Sequence, residues 1–174
     1  MINNLFQKQI IVSPFTKIYF KNFNFIVIGP LGSVNLSLPH NIQFKLDNSI
    51  LLLFSFHQAL LLTVYSIFQK KIQGIEVGFF SLLVVTGIGW RVFCESSNLV
   101  FKLGYSHLVS YQIPLNLEIF ISNKQVIRIF GLNLAFVNQF SSKLCRLCCF
   151  DVYKGKGIYR FGKNVQLKVS SKSK

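Results

Sequence analysis

ILLLFSFHQALLLTVYSIFQKKIQG, residues 50–74, decides which kind of protein this chain forms. Ile50 to Phe68 is almost unbroken apolar sequence, nineteen residues long, which is the length at which a helix can cross a bilayer. His57, Gln58 and Thr63 interrupt the run, and Leu60, Leu61, Val64, Ile67 and Phe68 fall on one face of a helix. Lys70 and Lys71 near the end, with Gly74 beyond them, suit a helix terminus. A second apolar stretch, Val77 to Trp90, is short, broken by glycine and followed directly by Arg91. We therefore read a strand running into a half-buried helix over 57–74. A small integral membrane protein with two hydrophobic segments is the alternative.

Working outward, strands are expected at 9–12, 17–21 and 24–28, with a turn at Gly29-Pro30-Leu31-Gly32 and a further strand over Ser33 to Leu38. A second module starts near Gly78. It reads as a strand, a glycine kink, a hairpin turning at Glu95 to Asn98, and an alternating run through Phe101, Leu103 and Tyr105. LEIFIS and QVIRIFG add two strands around Asn123. A helix from Asn133 to about Cys149 should bury Phe136, Val137, Phe140, Leu144 and Leu147. Strands precede one helix in both modules, and FIVIG (25–29) and VIRIFG (126–131) end comparable strand sets, as an ancient duplication would leave them.

Composition narrows the function. The 174 residues are 51% apolar, ample for a core, and carry nineteen Lys and Arg against five Asp and Glu, a formal charge of +14. Residues 143–174 hold nine of those cations and only Asp151 in opposition, so the charge forms a patch, and nucleic acid is the usual partner for one. Phe, Ile, Leu, Asn and Lys are abundant and alanine is rare, a bias that A/T-rich codons produce and that points to an organellar gene. MINNLFQKQI resembles neither an import leader nor a secretion signal, as expected of a chain made inside the organelle.

Enzymatic and metal readings find little support. Gly87-Ile-Gly89 has Val92 where a dinucleotide loop needs its third glycine, and Lys154-Gly155-Lys156-Gly157 lacks the frame of a phosphate-binding P-loop. The five acids are scattered, and Ser106 and His107, adjacent on an expected strand, would point to opposite faces. Cys145 and Cys148 form a C-x-x-C, the basis of a third reading as a metal or redox protein, but no second ligand pair accompanies it. Neither metal nor cofactor nor small-molecule substrate is expected.

DVYKGKGIYRFGK, residues 151–163, fits RNA. Its glycines oppose helix formation and could let backbone N–H groups approach phosphates. Lys154, Lys156, Arg160 and Lys163 would supply mobile cations, and Tyr153, Tyr159 and Phe161 rings for unstacked bases. The plainer reading has Tyr153 packed on its own domain and the lysines in water.

Asp151 to Ile158 closely resembles the C-terminal signature of the sixth large-subunit ribosomal protein in its bacterial-type form. Gly29-Pro30-x-Gly32, Gly87-x-Gly89-Trp90-Arg91, Leu103-Gly104-Tyr105-Ser106-His107 and the helix opening near Val137 to Gln139 follow the same family pattern in order. Phe150 departs from a usual proline, Leu31 from a lysine, and the cysteines of the second helix from arginines. The resemblance implies an α+β protein of two small domains of similar fold, each a mainly antiparallel sheet on one helix. Their bounds would be 9–77 and 78–152, with a basic extended tail over 153–174. It implies a structural role in the large ribosomal subunit, and with the composition the expected ribosome is organellar, mitochondrial with plastid as the alternative. Its partners would be neighbouring large-subunit proteins and large-subunit rRNA, near the sarcin–ricin loop and the base of the factor-binding stalk. The RNA-facing residues it implies are Tyr153, Lys154, Gly155, Lys156, Gly157 and Ile158, to which the segment's own chemistry adds Tyr159, Arg160 and Lys163. Arg91, Lys102, Gly104, Tyr105, Ser106 and His107 follow as further contacts.

Overall fold

A computed structural model describes residues 5–21, 24–47 and 50–168. The fold is α+β and divides into two compact units, Met1–Gly78 and Phe79–Lys174. Each repeats one plan, two antiparallel sheets and a single long helix.

In the first unit the strands are β1 (Phe6–Ile11), β2 (Lys17–Lys21), β3 (Asn24–Gly29), β4 (Gly32–Ser37), β5 (Gln43–Asp47) and β6 (Ile50–Ser55), followed by α1 (Gln58–Glu76). They form sheets ordered β2-β3-β4 and β1-β6-β5. The apolar run that opened the question is split by its own periodicity. Leu51, Leu53 and Ser55 alternate into the core from β6, and beyond His57 the burial switches to helical spacing at Leu61, Val64, Phe68, Ile72 and Ile75. The Phe25 ring meets Phe44 edge-on at 4.7 Å and Phe68 at 5.3 Å, tying both sheets to the helix. Among the described residues no helix is long and apolar enough to cross a membrane. The helix does not stop at Gly74, which is buried within it; Val77 N–H closes the last turn on Gln73 O, and Gly78, at φ 79°, takes the left-handed conformation that ends it.

The second unit comprises β7 (Phe79–Thr86), β8 (Arg91–Glu95), β9 (Asn98–Lys102), β10 (Val109–Gln112), β11 (Glu118–Ser122), β12 (Val126–Gly131), α2 (Leu134–Leu147) and β13 (Gly157–Arg160). Its sheets are ordered β10-β9-β8 and β11-β12-β7-β13. Leu83 and Val85 of β7, Ile127 and Ile129 of β12, and Ile158 of β13 alternate inward onto Val137, Phe140 and Leu144 of α2, while Val92, Leu99 and Phe101 close the core from the other sheet. Asn133 caps α2, its side chain accepting from Ala135 N–H at 3.1 Å.

Three further expectations of the fold differ from the structure. Phe136 lies off the core face of α2, 47% exposed, and the fully buried Ser141 takes a place on that face. Leu103 to His107 is a loop, so the strand argument that separated Ser106 from His107 does not hold, although both are exposed. Residues 157–160 are not part of an extended tail, because they add a fourth strand to the sheet through Gly157↔Thr86 to Arg160↔Leu83.

Candidate nucleic-acid interface

The segment after α2 is a tightly closed loop. Ile158 N–H returns to Cys148 O at 3.0 Å, Asp151 N–H donates to Lys156 O at 2.8 Å, and Gly155 N–H donates to Asp151 O at 2.9 Å. The Asp151 carboxylate accepts from Tyr153 N–H at 2.9 Å, so the segment's one acid holds the loop's shape. Glycine is required at 157 by close approach: a Cβ there would fall within 2.9 Å of Cys149 O, with the Phe150 backbone closer still. The glycines therefore serve packing and closure. The Gly155 N–H, expected to approach a phosphate, is already bonded to Asp151 O.

This frame sorts the expected RNA contacts. Lys154 and Lys156 project from the closed loop, exposed, with no side-chain hydrogen bond or ion pair among the described residues; Lys163 is the same beyond β13. Tyr153 (59% exposed) and Phe161 (71%) present rings to solvent, whereas Tyr159 is half-buried, edge-on to Phe150 at 5.0 Å. Ile158 is 2% exposed and points into the core, so its side chain cannot face a ligand. Arg160 is no mobile cation. Its Nη2 donates to Asn138 O at 2.9 Å, Ser141 Oγ at 2.6 Å and Ser142 Oγ at 2.8 Å, clamping β13 to α2.

The other two motifs meet through one indole. Trp90 covers Gly87 on its own loop and Gly104 on the facing one, where a Cβ would lie 3.2 Å from the ring Nε1. Beside it, Arg91 and Lys102 sit directly opposite each other across β8 and β9, both exposed. Like charges so placed repel, an arrangement that an anion between or above them relieves. Tyr105 then reaches the end of α2, its hydroxyl donating to Leu147 O at 3.1 Å, and its ring stacks on His107 with centroids 6.4 Å apart. The 103–107 loop is thereby anchored where the 148–156 loop begins. Cys148, beside the Tyr105 phenol, pushes its pKa up by charge and hydrogen bonding.

Lys124 is a cation that sequence reading did not single out. Asn123 and Lys124 both adopt left-handed backbone conformations, at φ 53° and 58°, held by Val92 N–H to Lys124 O at 2.9 Å and Val85 N–H to Gln125 O at 2.8 Å. Lys124 and Arg91 line one small groove of about 290 Å³ with Gly89 and Trp90. An Asn-Lys pair between two strands was the available signal, since asparagine tolerates that conformation in hairpin turns. The cysteines show no comparable constellation: no group of three His, Cys, Asp or Glu side chains among the described residues could hold a metal. Burial pushes the Cys145 thiol up against the opposing pull of Arg160 and Lys163.

Comparison with known proteins bears on the same region. The profile of the ribosomal protein L6 family matches residues 86–160, which contain the Trp90 loop, the Tyr105 loop and the closed loop after α2. The large ribosomal subunit protein uL6 of Phytoplasma mali (strain AT) is 32% identical over 174 residues, 96% of each chain. The uL6c proteins of Porphyra purpurea and Guillardia theta are each 31% identical, over 85% and 87% of both chains respectively. On this near full-length similarity the chain belongs to the ribosomal protein L6 family, structural constituents of the large ribosomal subunit and not enzymes.

Proposed function

We propose that the chain serves an organellar ribosome, with the mitochondrion as its compartment, and that its second unit seats on large-subunit rRNA beside the sarcin–ricin loop and the base of the factor-binding stalk. The observation that carries the reading is the convergence at the end of α2. Tyr105 to His107 and the cation-bearing 151–156 loop are anchored to adjacent residues there, and Asp151 is turned inward. Tyr153, Lys154 and Lys156, with Lys163 beyond β13, form one part of the RNA-facing surface; Arg91, Lys102, Tyr105, Ser106 and His107 form the other. Gly155, Gly157, Ile158 and Arg160 shape that surface from beneath, and Tyr159 stands at its edge.

Exposed Phe80 and Phe120 lie on the same face of the four-stranded sheet, apolar surface suited to a neighbouring ribosomal protein. The A/T-biased composition supports an organellar gene, and the relatives named uL6c favour a plastid as the second reading. Sedimentation of the tagged protein from purified mitochondria and plastids, followed by RNA crosslink mapping, tests both. Co-sedimentation with mitochondrial large subunits and crosslinks through Lys154 and Lys156 are expected. Recovery away from ribosomes, or crosslinks confined to the first unit, would overturn the proposal.

A further inference from the structure

Between the C-terminal half of α2, β13 and residues 163–166 runs an open groove of about 670 Å³, within the range of roughly 300–1,000 Å³ typical of small-ligand sites. Arg146, Arg160 and Lys163 line it, and no Asp or Glu does. Phe150, Val152, Tyr159 and Val165 give it apolar walls, and the amides of Asn164 and Gln166 complete its polar edge. Arg160 forms a rigid part of the groove as the clamp between β13 and α2. All three of its hydrogen bonds run through Nη2, so the guanidinium is fixed in place while Nη1 and Nε make none among the described residues.

Cations on one side and an aromatic wall with amide edges on the other match the two chemistries of a nucleotide, phosphate and base. We propose that this groove captures a single unstacked nucleotide of the bound RNA, its phosphate on Arg146 and Lys163 and its base against the wall formed by Phe150 and Tyr159. The proposal rests on the RNA-binding reading and adds to it a pocket distinct from the Lys154–Lys156 loop. Aromatic rings beside phosphate-binding cations are the usual means of holding single-stranded nucleic acid, which makes RNA the better fit than an acidic peptide.

Two cysteines provide a direct readout. Cys149 is exposed and lines the groove, whereas Cys94 is exposed on β8 and does not. The full chain is treated with N-ethylmaleimide alone, with an in vitro transcript of bacterial large-subunit rRNA, and with mononucleotide at matched nucleotide concentration, while a gel shift follows RNA binding. RNA should slow alkylation of Cys149 at least fivefold and leave Cys94 within twofold. In Arg146→Ala/Lys163→Ala, the salt slope of binding should fall by about 0.7–0.9 unit, the loss of one phosphate contact, and the protection should be lost. Undiminished Cys149 labelling while RNA is bound overturns the groove alone and leaves the RNA reading standing. Equal protection by mononucleotide overturns it in favour of a free nucleotide, and absence of a gel shift overturns the RNA reading and the groove together.

Discussion

Replacing Arg160 with methionine separates a clamp from a phosphate contact. The side chain donates through one nitrogen to Asn138 O, Ser141 Oγ and Ser142 Oγ at 2.6–2.9 Å. That nitrogen carries two hydrogens, so two strong bonds exist at a time, and bonds to a charged donor contribute about 1.5–3 kcal/mol each. Buried Ser141 keeps its own bond to Asn138 O at 3.1 Å, which softens the loss. The expected destabilisation of the second unit is therefore about 2–3 kcal/mol, a large share of an ordinary domain's stability. Trp90 is the chain's one tryptophan and packs on the second unit's core, so its fluorescence in a urea titration reports that unit. With a slope of about 1.5 kcal/mol per molar urea, the midpoint should fall by roughly 1.5 M. A midpoint within about 0.3 M of the parent would refute the clamp and return Arg160 to the mobile cations.

Lys154→Ala/Lys156→Ala should leave the same midpoint unchanged while the salt slope of rRNA binding falls by about 1.5–2 units; an unaltered slope would show that neither lysine meets a phosphate. Gly157→Ala forces a Cβ against the Cys149–Phe150 backbone and should cost about 2–3 kcal/mol in the Trp90 titration, with a loss under about 0.5 kcal/mol contradicting the packing role. Because the Tyr105 pKa is raised in the fold, its contribution to stability is complete below the ordinary phenol range and fades as pH climbs through the raised value. Cys148→Ala should shift the Tyr105 phenolate absorbance to lower pH, and an unmoved curve would dismiss Cys148 as the cause. Lys124→Gly should relieve about 1 kcal/mol of left-handed strain and raise the urea midpoint while weakening RNA binding; the opposite sign in stability would exclude strain at that turn.

What the sequence disclosed is what local periodicity encodes. The strand over 24–28, the strand leading into the helix at 57, and the helix opening at Asn133 with Val137, Phe140 and Leu144 on its core face could each be placed from neighbours a few residues away. β13 could not. It is four residues long with a single large apolar side chain facing inward, and its partner β7 lies more than seventy positions earlier, so Gly-Ile-Tyr-Arg reads as a pliant basic tail until the sheet is assembled. The role of Arg160 was hidden for the same reason, because its acceptors belong to a helix that only the tertiary fold brings near. The helix stop was misplaced because two glycines, Gly74 and Gly78, follow the apolar face and local spacing favours the first. Within the site, the motifs were legible as motifs. That Trp90 joins two of them and Tyr105 fastens the second to α2 was not.

The cations of the second unit divide by what their surroundings ask of them. Arg160 is held by neutral oxygens inside the unit, where a fixed fork suits a clamp. Lys154, Lys156 and Lys163 stand in solvent, and Arg91 faces Lys102 across a strand pair where a carboxylate on either side would have been the stabilising choice. A net charge of +14 adds long-range repulsion to these local costs, so the isolated chain should gain stability as salt screens it. The same salt weakens the complex with RNA. Opposite responses to one variable are the thermodynamic mark of charges placed for a polyanion. The hydrogen bonds that close the 151–156 loop hold its backbone in shape before any ligand arrives, which lowers the ordering cost of binding.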